Sequence, residues 1–287
     1  MKKARALWEL MRLEHGLMLM VAIFIGALIA GRGLPPADKT LFAFLTALFL
    51  QAATFALNDY YDLEVDRLNR RMDRPLVRGD LSPKAALGVY FLLLPAGIIT
   101  GALVNTTCLI IALLNALLAT LYDVKLKEFK IVGNFYIAFA MAIPFLFGAT
   151  AVSREIPPVI YLLAAVAFLA GAGREIMKDV QDVEGDKARG TRSFPTYLGS
   201  RGACALAALF YLIAVFLSII PFIHQVDEDY YRDPFYLVAV LVTDAVLIYV
   251  AGKLLQKPLS VGLERYRKVT LAALGMGLLA FLIGAFF

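Results

Sequence analysis

Of 287 residues, 61% are hydrophobic and 18% charged, and the mean hydropathy is +0.75. That is more apolar surface than one globular core can bury, which excludes a soluble domain and places the chain in a bilayer. The net charge of +5 calls for no nucleic acid, because anionic lipid headgroups account for it.

The chain opens with MKKARALWELMRLEHG, basic residues ahead of an apolar stretch, in the manner of a signal peptide. Glu9, Arg12, Glu14 and His15 interrupt the run, however, and an uncleaved amphipathic helix at the cytoplasmic interface, with Trp8 as anchor, is the better reading. Apolar runs of about 20 residues, enough to cross roughly 30 Å of hydrocarbon, then recur to the end of the chain. They predict nine transmembrane helices at 15–31, 40–58, 85–104, 106–122, 131–152, 158–177, 203–223, 234–252 and 269–287. Of the 28 Lys and Arg residues, 24 fall at the N-terminus and in the loops after the even-numbered spans, and four (Arg32, Lys39, Arg154, Arg232) fall on the other side. This predicts a cytoplasmic N-terminus and an outer C-terminus in a multi-pass plasma-membrane protein. Cys108 and Cys204 then lie near opposite faces, too far apart for a disulfide. His15 and His224 are separated in the same way, which argues against a zinc site.

Charge collects in two places. NDYYDLEVD at 58–66 aligns with KDVQDVEGD at 178–186 when the chain is shifted by 120 positions, so that Asp59, Asp62, Glu64 and Asp66 fall on Asp179, Asp182, Glu184 and Asp186. The repeat predicts two halves, about 1–125 and 126–255, with a ninth helix at about 269–287 outside them. Four spans separate the copies, so both face the cytoplasm. On a helix, Asn58, Asp62 and Asp66 share one face, as do Asp179, Asp182 and Asp186. Like charges at that spacing repel, and oxygen ligands without Cys or paired His select a hard divalent cation, Mg²⁺ before Zn²⁺. Mg²⁺ is held by one or two carboxylates while substrate phosphates and waters complete its shell. Two facing motifs therefore suggest two Mg²⁺ ions gripping a diphosphate, with Asn58, Asp62, Asp66, Asp179, Asp182 and Asp186 as candidate ligands. A solvated salt-bridge network with Arg67, Arg70, Arg71, Arg74 and Arg78 competes with this, but such a network has no reason to keep one acidic register in both halves.

Further candidates for the diphosphate are Arg67, Arg74, Tyr122, Lys125, Lys127, Arg174 and Lys178. The lysines lie in a loop that the positive-inside rule alone explains, whereas Arg174 lies within a predicted span, where an unpaired guanidinium is costly. Glu64, Glu175 and Glu184 are suited to neutralising such cations. Gln51 and Asn134 suit interhelical hydrogen bonds. The charges sit at one membrane face, which argues against a transporter with an acidic pair near mid-membrane.

NDYYDLEVD followed by RPLVRG, and REIMKDVQDVEGD followed by TRSFP, closely resemble the two aspartate-rich signatures of the UbiA superfamily of intramembrane prenyltransferases, and the resemblance runs over essentially the whole chain. It implies an all-α ring of nine transmembrane helices, with cytoplasmic cap loops over a central cavity that opens laterally to lipid. It also implies magnesium-dependent transfer of an isoprenyl group from its diphosphate to a lipophilic acceptor, with Asp62, Asp66, Asp182 and Asp186 catalytic. The family's YxxxK spacing is broken here, since Leu126 stands between Lys125 and Lys127. GREIMKDVQDVEGD resembles the archaeal members that prenylate geranylgeranylglyceryl phosphate for ether lipids. RLEHGLM resembles the 4-hydroxybenzoate polyprenyltransferases of quinone biosynthesis. The longer second motif favours the ether-lipid acceptor.

Overall fold

The computed structural model describes residues 2–188, 190–256 and 262–286. Arg189, Lys257 and the last residue of the predicted ninth span, Phe287, lie outside them. Among the described residues there are twelve α-helices and no strand. Nine are long and apolar enough to cross a membrane: α2 (Leu13–Gly31), α3 (Ala37–Leu68), α5 (Pro83–Val104), α6 (Thr106–Val124), α7 (Lys130–Val152), α8 (Pro158–Gln181), α10 (Phe194–Ile223), α11 (Pro234–Leu255) and α12 (Leu263–Gly284). The others are α1 (Lys2–Met11), α4 (Pro75–Arg78) and α9 (Val183–Ala188), and a 3₁₀ turn spans Leu126–Glu128.

Hydropathy placed the spans but not the ends that carry the acidic motifs. Helix α3 was expected to stop at 58 and runs to Leu68. At 1.5 Å per residue it is about 48 Å long against roughly 30 Å of hydrocarbon, so the first acidic motif rides on a helix that projects past the bilayer core. Helix α10 starts at Phe194 instead of 203, through a turn at Gly199, whose φ of 70° suits a residue without a Cβ. The second motif is split: α8 ends at Gln181, Asp182 is its C-cap, and α9 continues from Val183.

Successive spanning helices pack side by side, and α12 returns to α2 to close a ring. The first spans of the two sequence halves, α2 and α7, also pack together, and here the backbones nearly touch. A Cβ built on Gly26 would lie 2.0 Å from the Phe145 carbonyl oxygen, and one on Gly148 would lie 1.9 Å from that of Ile23. Small residues permit such an approach in a membrane, where packing replaces the hydrophobic effect as the force between helices. Arg32 at the end of α2 pairs with Asp227 at 2.9 Å, tying the loop before α11 to α2.

Helix α1 is amphipathic as expected. Its Ala6 and Leu10 are buried with Leu63, Leu76 and Leu81, while Trp8 is exposed. Arg12 joins α1 to α2 in the left-handed conformation (φ 45°), which is costly for a residue with a side chain. Three contacts hold it: its carbonyl accepts from Gln51 Nε2 at 3.0 Å, its guanidinium lies 4.4 Å from the Phe55 ring centre, and it donates to Asp59. Cys108 and Cys204 are free and buried.

Candidate active site

The projecting end of α3 distributes its acids by helical periodicity. Asp59, with 1% of its side chain exposed, turns inward and accepts from Arg12 and, at 2.8 Å, from Arg74 Nη1. Asn58 donates to Asp123 Oδ1 at 3.0 Å. One turn on, Asp62 is paired with Lys127. Asp66 is buried 3.6 Å from Arg74 Nε. The solvated network weighed against a metal site exists as well, but farther out, as Arg67 with Glu64, Arg78 with Asp80 and Arg71 with Asp73. The hydrogen bonds from Arg71 hold the Asp73 carboxyl below the usual carboxylate range.

The second motif is fastened to α7. Asp179 accepts from Asn134 Nδ2 at 2.6 Å and lies 3.5 Å from Lys130 Nζ, which pairs with Asp186 at 2.8 Å. Asp182 is exposed, and its side chain has no hydrogen bond or ion pair among the described residues. Lys127 thus holds the first motif and Lys130 the second. Three residues of chain span at most about 11 Å, so one short segment of backbone is tied to both motifs.

Beside the motifs lies a cavity of about 780 Å³. Asn58, Asp62, Arg74, Tyr122, Arg174 and Lys178 line it, and its floor is apolar, formed by residues such as Leu19, Ile111 and Phe281. Tyr122 stacks on Tyr136 with ring centres 4.7 Å apart. Arg174 donates to Glu175 at 2.9 Å, and Lys178 lies 3.3 Å from the same carboxylate, as expected of an acid that neutralises cations.

Several expectations require correction. Among the described residues no three His, Cys, Asp or Glu side chains converge to hold an ion: Asp59 and Asp66 are drawn to Arg74, Asp62 to Lys127, and Asp179 and Asp186 to Lys130. Asp179 is not an open ligand. It matches Asp59 in the repeat, and both are buried anchors tied to the start of their own half, to Arg12 in one case and to Asn134 and Lys130 in the other. Asp66 and Asp186 are likewise buried beneath Arg74 and Lys130. Arg67 turns outward to Glu64 and Lys125 is exposed without a side-chain partner among the described residues; neither they nor Lys127 line the cavity, although Lys127 reaches Asp62, which does. Nor do all charges sit at one face, because Asp244 lies halfway along α11, buried and accepting from Ser218 at 2.9 Å.

Four charged cavity residues carry no site role in the sequence reading: Asp123, Arg12, Arg267 and Asp244. Asp123, fully buried with Oδ2 unpartnered, was hidden in the basic stretch LYDVKLK. Arg12 and Arg267 had been counted only as positive-inside charge. Oxygen ligands remain well represented, with accessible Asp62 and Asp182 one on each motif. Each could give one carboxylate to a hard cation whose shell is otherwise phosphate and water, so the donor set fits magnesium.

Residues 19–262 match the UbiA prenyltransferase family. The chain belongs to this family. Its UbiA relatives include the digeranylgeranylglyceryl phosphate synthase of Archaeoglobus fulgidus, 48% identical, with 98% of this chain and 96% of that protein covered. The synthase of the same name from Methanothrix thermoacetophila is 34% identical, covering 97% and 98%. A solved structure described as giving structural and mechanistic insights into digeranylgeranylglyceryl phosphate synthase in membranes superposes with a TM-score of 0.82, at 32% identity and 99% coverage of both chains. A UbiA homologue from Archaeoglobus fulgidus bound to DMAPP and Mg²⁺ shares the fold, with a TM-score of 0.66 at 20% identity and coverage of 96% and 99%. The chain is therefore a polytopic membrane prenyltransferase.

Proposed function

We propose that the chain transfers a geranylgeranyl group from its diphosphate to geranylgeranylglyceryl phosphate, forming an ether-lipid precursor, and that its active site faces the cytoplasm. The observation that carries this is a largely apolar cavity lined by Asn58 and Asp62 of the first motif and by Arg174 and Lys178 at the second, beside the loop whose Lys127 and Lys130 pair with Asp62 and Asp186. The names of the 48% and 34% identical relatives support the acceptor, as does the long second motif.

Asp62 and Asp182, backed by Asn58, would hold magnesium, which when bound neutralises charge on the diphosphate. Arg74, Tyr122 and Lys127 place further donors around the mouth beside the first motif. In the reaction the bond from the allylic carbon to the diphosphate oxygen breaks and its electron pair leaves with the diphosphate. The acceptor hydroxyl oxygen bonds to that carbon and loses its proton. The apolar walls keep water from the allylic cation and store the isoprenyl tails.

Purified protein, magnesium and labelled geranylgeranyl diphosphate, offered geranylgeranylglyceryl phosphate and 4-hydroxybenzoate separately, should give product with the first. Product with the aromatic acid alone refutes the acceptor. Asp62→Ala and Asp182→Ala should each cost about 10²-fold or more in turnover while the protein stays folded. Undiminished turnover in both refutes the proposed roles of the motifs.

A further inference from the structure

The two faces of α8 carry different chemistry. Asp179 points to α7, whereas Arg174, Lys178 and Gln181, at positions i, i+4 and i+7, form a second stripe about 100 to 160° around the helix from it. Arg267 of α12 joins that stripe, donating from Nη1 to Gln181 Oε1 at 2.8 Å. Arg174, Lys178 and Arg267 all line the cavity, and the lining carboxylate beside them is Glu175, already engaged by Arg174 and Lys178. Arg267 has no ion pair among the described residues, and its Nε, like that of Arg174, is buried without a hydrogen-bond partner. The bank thus has three cations against one acid and two guanidinium donors unused. A phosphate monoester, with about −1.5 to −2 charges at neutral pH and three acceptor oxygens, has the complementary charge.

Helix α12 also provides for a tail. Leu271, Leu274 and Leu278 stand four, seven and eleven residues beyond Arg267 and line the same cavity, so they continue its helix face toward the membrane interior. A cation heading an apolar strip about 16 Å long has the outline of a phosphorylated single-chain lipid.

We infer that Arg267, with Arg174 and Lys178, binds the phosphate of the acceptor, and that this second anion subsite is separate from the diphosphate site between the aspartate motifs. The inference rests on the acceptor proposed above and makes Arg267 a specificity-determining residue. The ninth helix, which lies outside the sequence repeat, thereby supplies the feature that distinguishes a phosphorylated acceptor from a neutral one.

The test compares geranylgeranylglyceryl phosphate with geranylgeranylglycerol, which keeps the tail and the nucleophilic hydroxyl but lacks the phosphate. In the wild type, removing the phosphate should lower kcat/KM about tenfold to a hundredfold. In Arg267→Gln the two acceptors should converge to within about threefold. The loss should fall on the KM of the phosphorylated acceptor, not on that of the donor, and Arg267→Lys should restore part of the preference. Equal use of the two acceptors by the wild type overturns this inference alone, and needs no variant. An unchanged preference in Arg267→Gln also overturns it. No turnover of either acceptor beside turnover of 4-hydroxybenzoate overturns the proposed function with it.

Discussion

Replacing Gly148 with Ala tests the seam between the two halves. The added Cβ would lie 1.9 Å from the Ile23 carbonyl oxygen, with the Ile23 carbonyl carbon at 2.7 Å. Both are backbone atoms, so no side chain can swing aside, and α2 and α7 must part by about 1 Å or more to reach an ordinary contact. A gap of that size forfeits a quarter to a half of each dispersion contact along the seam, and overpacking of this kind costs about 1 to 3 kcal/mol. For a chain of this length that is an apparent melting point lower by roughly 2 to 10 °C, read by thermal aggregation or gel filtration in detergent. Gly88→Ala and Gly275→Ala are the controls, since nothing lies within 4 Å of a Cβ at either position, and both should gain up to about 1 kcal/mol of helix propensity. Wild-type stability in Gly148→Ala, or an equal loss in the controls, refutes backbone contact as the basis of the seam.

Asp59→Asn should lower stability by about 3 kcal/mol, because Arg12 and Arg74 lose their shared counter-charge; the figure is at the low end for a broken buried pair because the two arginines keep 18% and 16% exposure. Thermal melting checks it, and an unchanged melt would show that Asp66 and solvent suffice for Arg74. Between the two lysines of the loop, Lys127→Met should reduce turnover about tenfold or more, whereas Lys125→Met should stay within about twofold; equal effects would return Lys125 to the site. Hydrogen bonds from Arg5 and Arg78 hold the exposed Glu9 carboxyl below its usual value of 4.5. Glu9 therefore still ties α1 to α4 when ordinary carboxylates titrate, and the tie is lost as pH falls through the lowered value. Fluorescence of Trp8, the single tryptophan, should report release of α1 below pH 4.5 and not above it.

The nine spans were legible because an uncharged run of membrane length has few alternatives. Their motif-bearing ends were not, since a helix that leaves the hydrocarbon keeps its backbone hydrogen bonds while losing the composition that marked it, as at Asn58 to Leu68. Helical spacing did place Asn58, Asp62 and Asp66 correctly on one strip of α3. Spacing does not state which acid turns to a neighbouring helix, and so Asp179 was read as a ligand. The repeat held the correction, because Asp179 aligns with Asp59, which had been given no metal role. Asp123, Arg267 and Asp244 escaped for a common reason: each is one polar residue in a stretch whose character is set by its neighbours, and only tertiary packing turns it toward the cavity.

The near-contact of Gly26 and Gly148 with facing carbonyls fixes one dimension of the protein. Helices that touch through their main chains are already at closest approach, and moving them apart surrenders the whole contact at once. An isoprenyl chain entering the cavity is therefore accommodated between helices that meet through flexible side chains, while α2 and α7 keep their spacing.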